Sequence, residues 1–167
     1  MTTNVETAVT TQVYQVYIKA KPEAVWEAIT SPDWTEKYGY RGRAEYDLRP
    51  GGAYRALAPA DMIAAGGPDV AVDGEVIEVD PPRKLVQTWR ALWDPELVEE
   101  GFTRVTWDIQ EETGGITRLR VTHELENAPV HASQVAGDAP LERGGGGWSW
   151  ILSDLKTLLE SGKALAN

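Results

Sequence analysis

GGWSWILSDLKTLLESG, residues 146–162, is the stretch on which the fold turns. Trp148, Ile151, Leu152, Leu155, Leu158 and Leu159 share one stripe at helical spacing, while Ser153, Asp154, Lys156 and Thr157 lie mostly on the opposite side. The spacing predicts a helix over Trp148 to Lys163 that must bury one face. A helix of about 16 residues spans only about 24 Å, so the partner surface has to be supplied by the rest of the chain.

Upstream, the period changes from 3.6 to 2. Gln12 to Lys19 alternates, with Val16 and Ile18 on one face and Tyr17 on the other. Turn chemistry at Arg49-Pro50-Gly51-Gly52, Asp80-Pro81-Pro82-Arg83 and Thr113-Gly114-Gly115 then separates further strands. These run over Ala44 to Leu48, Ala53 to Ala58, Val70 to Val79, Leu85 to Leu92, Phe102 to Gln110 and Ile116 to Glu124, making seven with the first. Two short helices follow strand one: Pro22 suits a first helical turn and brings Val25, Trp26 and Ile29 to one face, and Ser31-Pro32-Asp33 starts a second over Asp33 to Tyr38. Pro59 to Asp69 reads as a loop, yet it presents Met62 and Ile63, as a lid would. Asn127 to Gly147 reads as a small-residue loop. The fold class is therefore α+β, a curved seven-stranded antiparallel meander with the long C-terminal helix on its concave side. Residues 1–11 are expected to form a flexible polar arm and 12–167 a single domain.

Composition narrows the function. The chain has 167 residues, 42% hydrophobic and 25% charged, close to globular averages. A formal charge of -10 disfavours phosphate backbones and anionic headgroups, so no nucleic acid and no membrane partner is expected. The absence of cysteine removes disulfides, thiolate metal sites and a cysteine nucleophile together. No leader segment and no apolar run of about 20 residues is seen, which makes a cytoplasmic protein the expectation. Two histidines make a zinc site a poor fit, and no metal or cofactor is expected.

IKAKPEAVWEAITSPDWTEKY (18–38), DLRPGGAY (47–54), VDGEVIEVDPPRKLVQTW (72–89) and the closing helix appear in this order. Together they resemble the START-like, or SRPBCC, superfamily with its helix-grip fold, and within it the branch named after the activator of the 90-kDa heat-shock-protein ATPase. The resemblance spans Val13 to Gly162. Its motifs are turns and helix starts, which specify a fold and not a reaction. It implies a deep cavity between the long helix and the sheet, of the kind in which relatives hold lipids, polyketides or hormones.

Seven tryptophans are present, and Trp34, Trp89, Trp107 and Trp148 lie on elements that would face such a hollow. Each is either core filling or a stacking surface for a flat ligand. Tyr38, Tyr54 and Trp93 are further candidates, and Met62, Leu152 and Leu155 complete the expected ligand-binding set. His123 shares strand parity with Leu119, Val121 and Leu125 and should point inward, either as a ligand contact and catalytic proton shuttle or as a satisfied structural histidine. His131 should be solvated in its loop, and Glu99-Glu100 and Glu111-Glu112 should solvate the surface. Arg104 and Arg120 belong on the outer face, and Gly144 to Gly147 read as flexibility before the gripping helix.

Three functions follow. The first is a carrier or sequestering protein, monomeric or homodimeric, for a small hydrophobic or aromatic molecule, with antibiotic self-resistance as a special version. The second is an enzyme of the polyketide cyclase or aromatase kind using His123. The third is a chaperone-activating module, ranked last because the separate activating N-terminal domain of those cochaperones is expected to be absent.

Overall fold

Seven antiparallel strands run in the order β1-β7-β6-β5-β4-β3-β2 in the computed structural model, which describes residues 10–141 and 145–165. They are β1 (Thr11–Ile18), β2 (Arg43–Tyr46), β3 (Ala53–Leu57), β4 (Val70–Asp80), β5 (Lys84–Ala91), β6 (Thr103–Glu111) and β7 (Thr117–Glu124). Helices α1 (Pro22–Thr30) and α2 (Pro32–Thr35) follow β1, α3 (Ala60–Ala64) joins β3 to β4, and α4 (Pro95–Glu100) joins β5 to β6. α5 (Pro129–Ala136) and the long α6 (Gly147–Ser161) close the chain. Most of the expected polar arm lies outside the described residues, but Thr11 already pairs with Glu124 in the sheet. Among the described residues, no helix is long and apolar enough to cross a membrane.

Period two decides which face of the sheet is buried. On β7, Thr117, Leu119, Val121 and His123 are buried, and Leu125 just beyond the strand continues the set. On β6 the buried set is Thr103, Val105, Trp107 and Ile109. Register carries this inward row across the sheet, pairing Trp107 with Val121 and Val105 with His123. The outer face carries the charges, among them Arg120, whose Nε donates to Gln15 at 2.9 Å.

α6 buries Trp148, Leu152, Leu155 and Leu158 against this row, each apolar side chain stabilising by roughly 1.5–3 kcal/mol. It packs chiefly on β1 and α5. Asp154 departs from the expected polar face of the helix: it is wholly buried, and its carboxylate accepts from the backbone N–H groups of Gly39 at 2.9 Å and Leu165 at 2.7 Å. Hydrophobic spacing cannot reveal a carboxylate kept inside by backbone donors. The start of α6 is likewise held, since Gly146 and Gly147 donate to the Tyr40 hydroxyl at 2.8 and 3.1 Å. Gly144 lies outside the described residues.

Three helices stand where loops were expected. α4 begins at Pro95 with Asp94 capping it through a bond from Glu96 N–H at 3.1 Å. α5 lies in the small-residue stretch, and α3 within the Pro59 to Asp69 segment. α2 is shorter than the Asp33 to Tyr38 expectation, ending at Thr35.

A buried aromatic enclosure as the candidate site

Strand alternation sends Gln87 and Trp89 from β5, Thr103 and Trp107 from β6 and His123 from β7 toward the same side as Trp148 of α6. The rings of Trp107 and Trp148 meet edge to face with centroids 5.4 Å apart, and Trp89 stands 5.1 Å from His123 and 6.2 Å from Trp148. Among the described residues, the centre of the grip is therefore occupied by the protein's own rings, not by the open hollow that the sequence led us to expect. A pocket of about 150 Å³ lies elsewhere, at the seam of β1 and α6, lined by Tyr14, Gln15, Val16, Ser149, Leu152 and Ser153.

The polar groups inside this enclosure are paired. The Trp148 indole N–H donates to His123 Nδ1 at 3.0 Å, and His123 Nε2 lies 2.7 Å from Thr103 Oγ1. The Thr103 hydroxyl in turn donates to the Trp89 carbonyl at 2.7 Å. Because Nδ1 accepts, the ring proton sits on Nε2 and points at Thr103. Both ring nitrogens are thus engaged by protein. Burial first, and His131 second, push the imidazole down from 6.5 to about 3, so it is neutral.

His131 is a correction to the sequence reading. It is wholly buried on α5, not solvated in a loop. Its Nε2 accepts from Ala91 N–H at 3.1 Å, and its Nδ1 lies 2.7 Å from Glu100 Oε1. Glu100, expected at the surface, also accepts from the N–H groups of Val130 and His131 at 2.6 and 2.9 Å. Burial alone would raise this carboxyl, but the His131 and Val130 donors outweigh it and hold it below the usual carboxylate range. A glutamate at the end of α4 thereby caps α5 and locks it to β5.

A second cluster occupies the β2–β4 end of the concave face. Ala44, Tyr54, Ala71 and Val72 are buried there, with Tyr46, Ala56, Ala58, Met62 and Trp89 packed against them. Small side chains and aromatic ones pack together there. Tyr46 and Tyr54 stack with centroids 4.6 Å apart. Between Tyr54 and Trp89 the sheet carries Gly74, where a Cβ would sit 1.9 Å from Thr88 O, so only glycine lets β4 approach β5 this closely. No α6 residue belongs to this cluster; Met62 of α3 does. The α3 segment is closed at its base by Ala58 N–H donating to Asp69 O at 2.8 Å.

Gln87 links the two clusters. It is wholly buried, and its Oε1 accepts from the Tyr46 hydroxyl at 2.6 Å and the Trp107 indole at 3.0 Å. Burial raises the Tyr54 phenol strongly, and the neighbouring polar groups of Trp89 and Gln87 offset part of the rise.

The structure thus brings together Tyr54, Trp89, Trp107, His123 and Trp148, with Met62 packed against the second cluster and Leu152 and Leu155 in the neighbouring core. Tyr38 is buried with its hydroxyl on Ala28 O at 2.8 Å. Trp34 packs on the core edge with the Lys37 ammonium 4.7 Å from its ring centre, and Trp93 is 38% exposed. Gln87, Thr103 and Tyr46 were missed, although parity with Trp89, Trp107 and Ala44 would have placed each inward. Among the described residues, no group of three or more potential ligands could hold a metal ion.

Residues 19–160 match the family described as Activator of Hsp90 ATPase homolog 1-like protein. No curated protein matches the chain. Among solved structures, an HSP90 activator from Plasmodium falciparum is 24% identical over 90% of this chain and 96% of its own, with a TM-score of 0.62. DynU16, a protein of the dynemicin biosynthetic locus, is 23% identical over 93% of this chain and 49% of its own, with a TM-score of 0.65. The Aha1 dimer from Colwellia psychrerythraea is 19% identical over 93% of this chain and all of its own, with a TM-score of 0.61. At these identities the likeness is one of fold.

Proposed function

The chain belongs to the Activator of Hsp90 ATPase homolog 1-like family, and from that premise we propose that it binds a small, flat, hydrophobic molecule at the β2–β4 end of its grip. One observation carries the reading: Tyr46, Tyr54 and Trp89 pack with the small side chains Ala44, Ala56 and Val72 in a cluster to which Met62 of the short α3 contributes and the long helix does not. Aromatic rings beside small side chains suit a planar guest, because stacking adds roughly 0.5–1.5 kcal/mol per ring pair beyond area burial. Admission requires α3 to swing on its Ala58–Asp69 base and withdraw Met62. The dynemicin-locus relative makes a polycyclic natural product the class to try first.

Binding is favoured over chemistry. His123 keeps both ring nitrogens engaged with Trp148 and Thr103, and a general base must present a free lone pair to substrate.

Thermal melts and tryptophan fluorescence with a panel of polycyclic aromatics test the reading. At about 100 times the dissociation constant a guest adds about 2.7 kcal/mol of stability. Ala56→Phe, which enlarges a small side chain of this cluster, should abolish the shift while the unliganded protein still melts cooperatively. A panel that neither raises the melting temperature nor alters the emission would remove the proposal.

A further inference from the structure

β1 is one of the two edges of the sheet, and alternate residues along it turn their backbone away from β7. Thr10 O accepts from Leu125 N–H at 2.7 Å, whereas Tyr17 O accepts from the Lys156 ammonium of α6 at 2.7 Å and Lys19 N–H donates to Glu160 at 2.8 Å. In an antiparallel pair the bonding direction alternates residue by residue. The even-numbered residues therefore serve β7, while Thr11, Val13, Gln15 and Tyr17 present their amides and carbonyls to the outer edge. Side chains of α6 cover that edge at Tyr17 and Lys19. Among the described residues, nothing hydrogen-bonds the backbone of Val13 or Gln15 on this side.

Edge strands are normally protected by shortness, charge, proline or a bulge. β2, at the other edge, follows that rule with four residues that include Arg43 and Glu45. β1 does not. Its eight residues, TQVYQVYI, carry no charge, proline or glycine, and they pair with β7 without a register shift. Beside the uncovered stretch lies the space of about 150 Å³ between β1 and α6, lined by Tyr14, Val16 and Leu152 together with the exposed Ser149 and Ser153. A space of that size holds a benzene-sized group.

We infer that this edge takes up an extended segment of a basic partner protein as an additional strand, antiparallel to β1, with an apolar side chain of the segment seated between β1 and α6. Strand addition of this kind draws affinity from main-chain bonds and specificity from a pocket for alternate side chains. A small apolar molecule in the same space would leave the Val13 and Gln15 backbone as it is. Charge selects the partner. The chain carries -10, so a second copy would be repelled, and its β1 brings no cation. Burial first and the Asp138 carboxylate second raise the Tyr14 phenol, which puts that carboxylate beside the space. Among the described residues Asp138 has no ion pair, and a lysine two positions beyond the seated side chain supplies one.

The capped peptide Ac-TVTVTKT-amide, titrated into ¹⁵N-labelled protein, tests this. The amide signals of Val13 and Gln15 should move downfield and exchange more slowly, while those of Gln12 and Tyr14, which already serve β7, hold their places. With the valines toward α6, the threonines face β1. N-methylation of the third and fifth peptide residues should therefore weaken binding by about tenfold or more, and N-methylation of the second and fourth should not. Glutamate in place of the peptide lysine should bind severalfold more weakly, a difference that high salt removes. Ser153→Phe, at an exposed position, should block the space and abolish binding while the protein still melts cooperatively. Unmoved Val13 and Gln15 signals at millimolar peptide, or equal losses from the two methylation patterns, overturn the inference. So do Val13 and Gln15 amides already protected without peptide and released on dilution, the mark of a second copy on the edge. The β2–β4 site lies at the opposite edge of the sheet, so failure here leaves the binding reading intact.

Discussion

The indole N–H of Trp148 is donated to Nδ1 of His123 at 3.0 Å, and this one bond sets the tautomer of a wholly buried imidazole. It ties the long helix to the last strand and leaves Nε2 as a donor to Thr103. Replacing Trp148 with Phe keeps a ring against Trp107 but orphans His123 Nδ1, at a cost of about 1–3 kcal/mol. Urea denaturation should show that loss, and Trp148→Leu should lose more because the edge-to-face contacts go as well. A Phe variant as stable as the native protein would mean that the bond contributes nothing.

Acid should weaken the fold through His123. Its folded value is depressed to about 3, whereas in the unfolded chain it titrates near 6.5. Between those limits the unfolded state binds more protons, so stability falls as pH drops below about 6.5 and continues to fall toward about 3. Near pH 4.5 the loss from this group is about 3 kcal/mol. Glu100 adds in the same direction, since its lowered carboxyl gives stability that disappears as pH falls through the folded value. His123→Asn should flatten the decline between about pH 6.5 and 4.5 without removing the Glu100 share. An unchanged slope in that variant would assign the acid sensitivity to other groups.

The meander and the closing helix were legible because period two and period 3.6 are properties of the backbone, and the turns at Pro50-Gly51-Gly52 and Pro81-Pro82 sit where glycine and proline dictate. β4 through β7 end within about a residue or two of their expected bounds. α5 was not legible. Its start is capped by Glu100, about 30 residues earlier in the chain, and no local signal announces a cap supplied at that distance. The same distance hid His131, which reads as a loop histidine until α4 and β5 close over it. For the site, parity placed His123 inward, whereas Trp89 and Trp107 were expected only on elements that face the hollow, and strand phase across the register shift between Val76 and Glu78 cannot be counted from sequence.

Glu100 and His131 should behave as one unit. Glu100→Ala leaves the Val130 and His131 N–H groups and His131 Nδ1 without their acceptor, at a cost of about 3 kcal/mol or more. Amide exchange should accelerate first in α5, as its opening N–H groups lose their cap. Glu100→Gln retains one oxygen acceptor and should fall between the alanine variant and the native protein. Uniform acceleration across the sheet and α5 together would show that α5 is not separately held.

Asp154 makes the sharpest prediction about a side chain that hydrophobic spacing misplaces. Its two oxygens face two donors, Oδ2 toward Gly39 N–H and Oδ1 toward Leu165 N–H, so the helix interior carries a charge held entirely by backbone. Asn is nearly isosteric, but it turns an NH₂ toward one of those N–H groups, replacing an attraction by a donor–donor contact. Asp154→Asn should therefore destabilise almost as much as Asp154→Ala, about 2–3 kcal/mol each, in contrast to an exposed aspartate, where the amide would be innocuous. Exchange of the Gly39 and Leu165 amides locates the effect. If the Asn variant keeps native stability, one of the two bonds is dispensable, and whichever of the two amides exchanges faster identifies it.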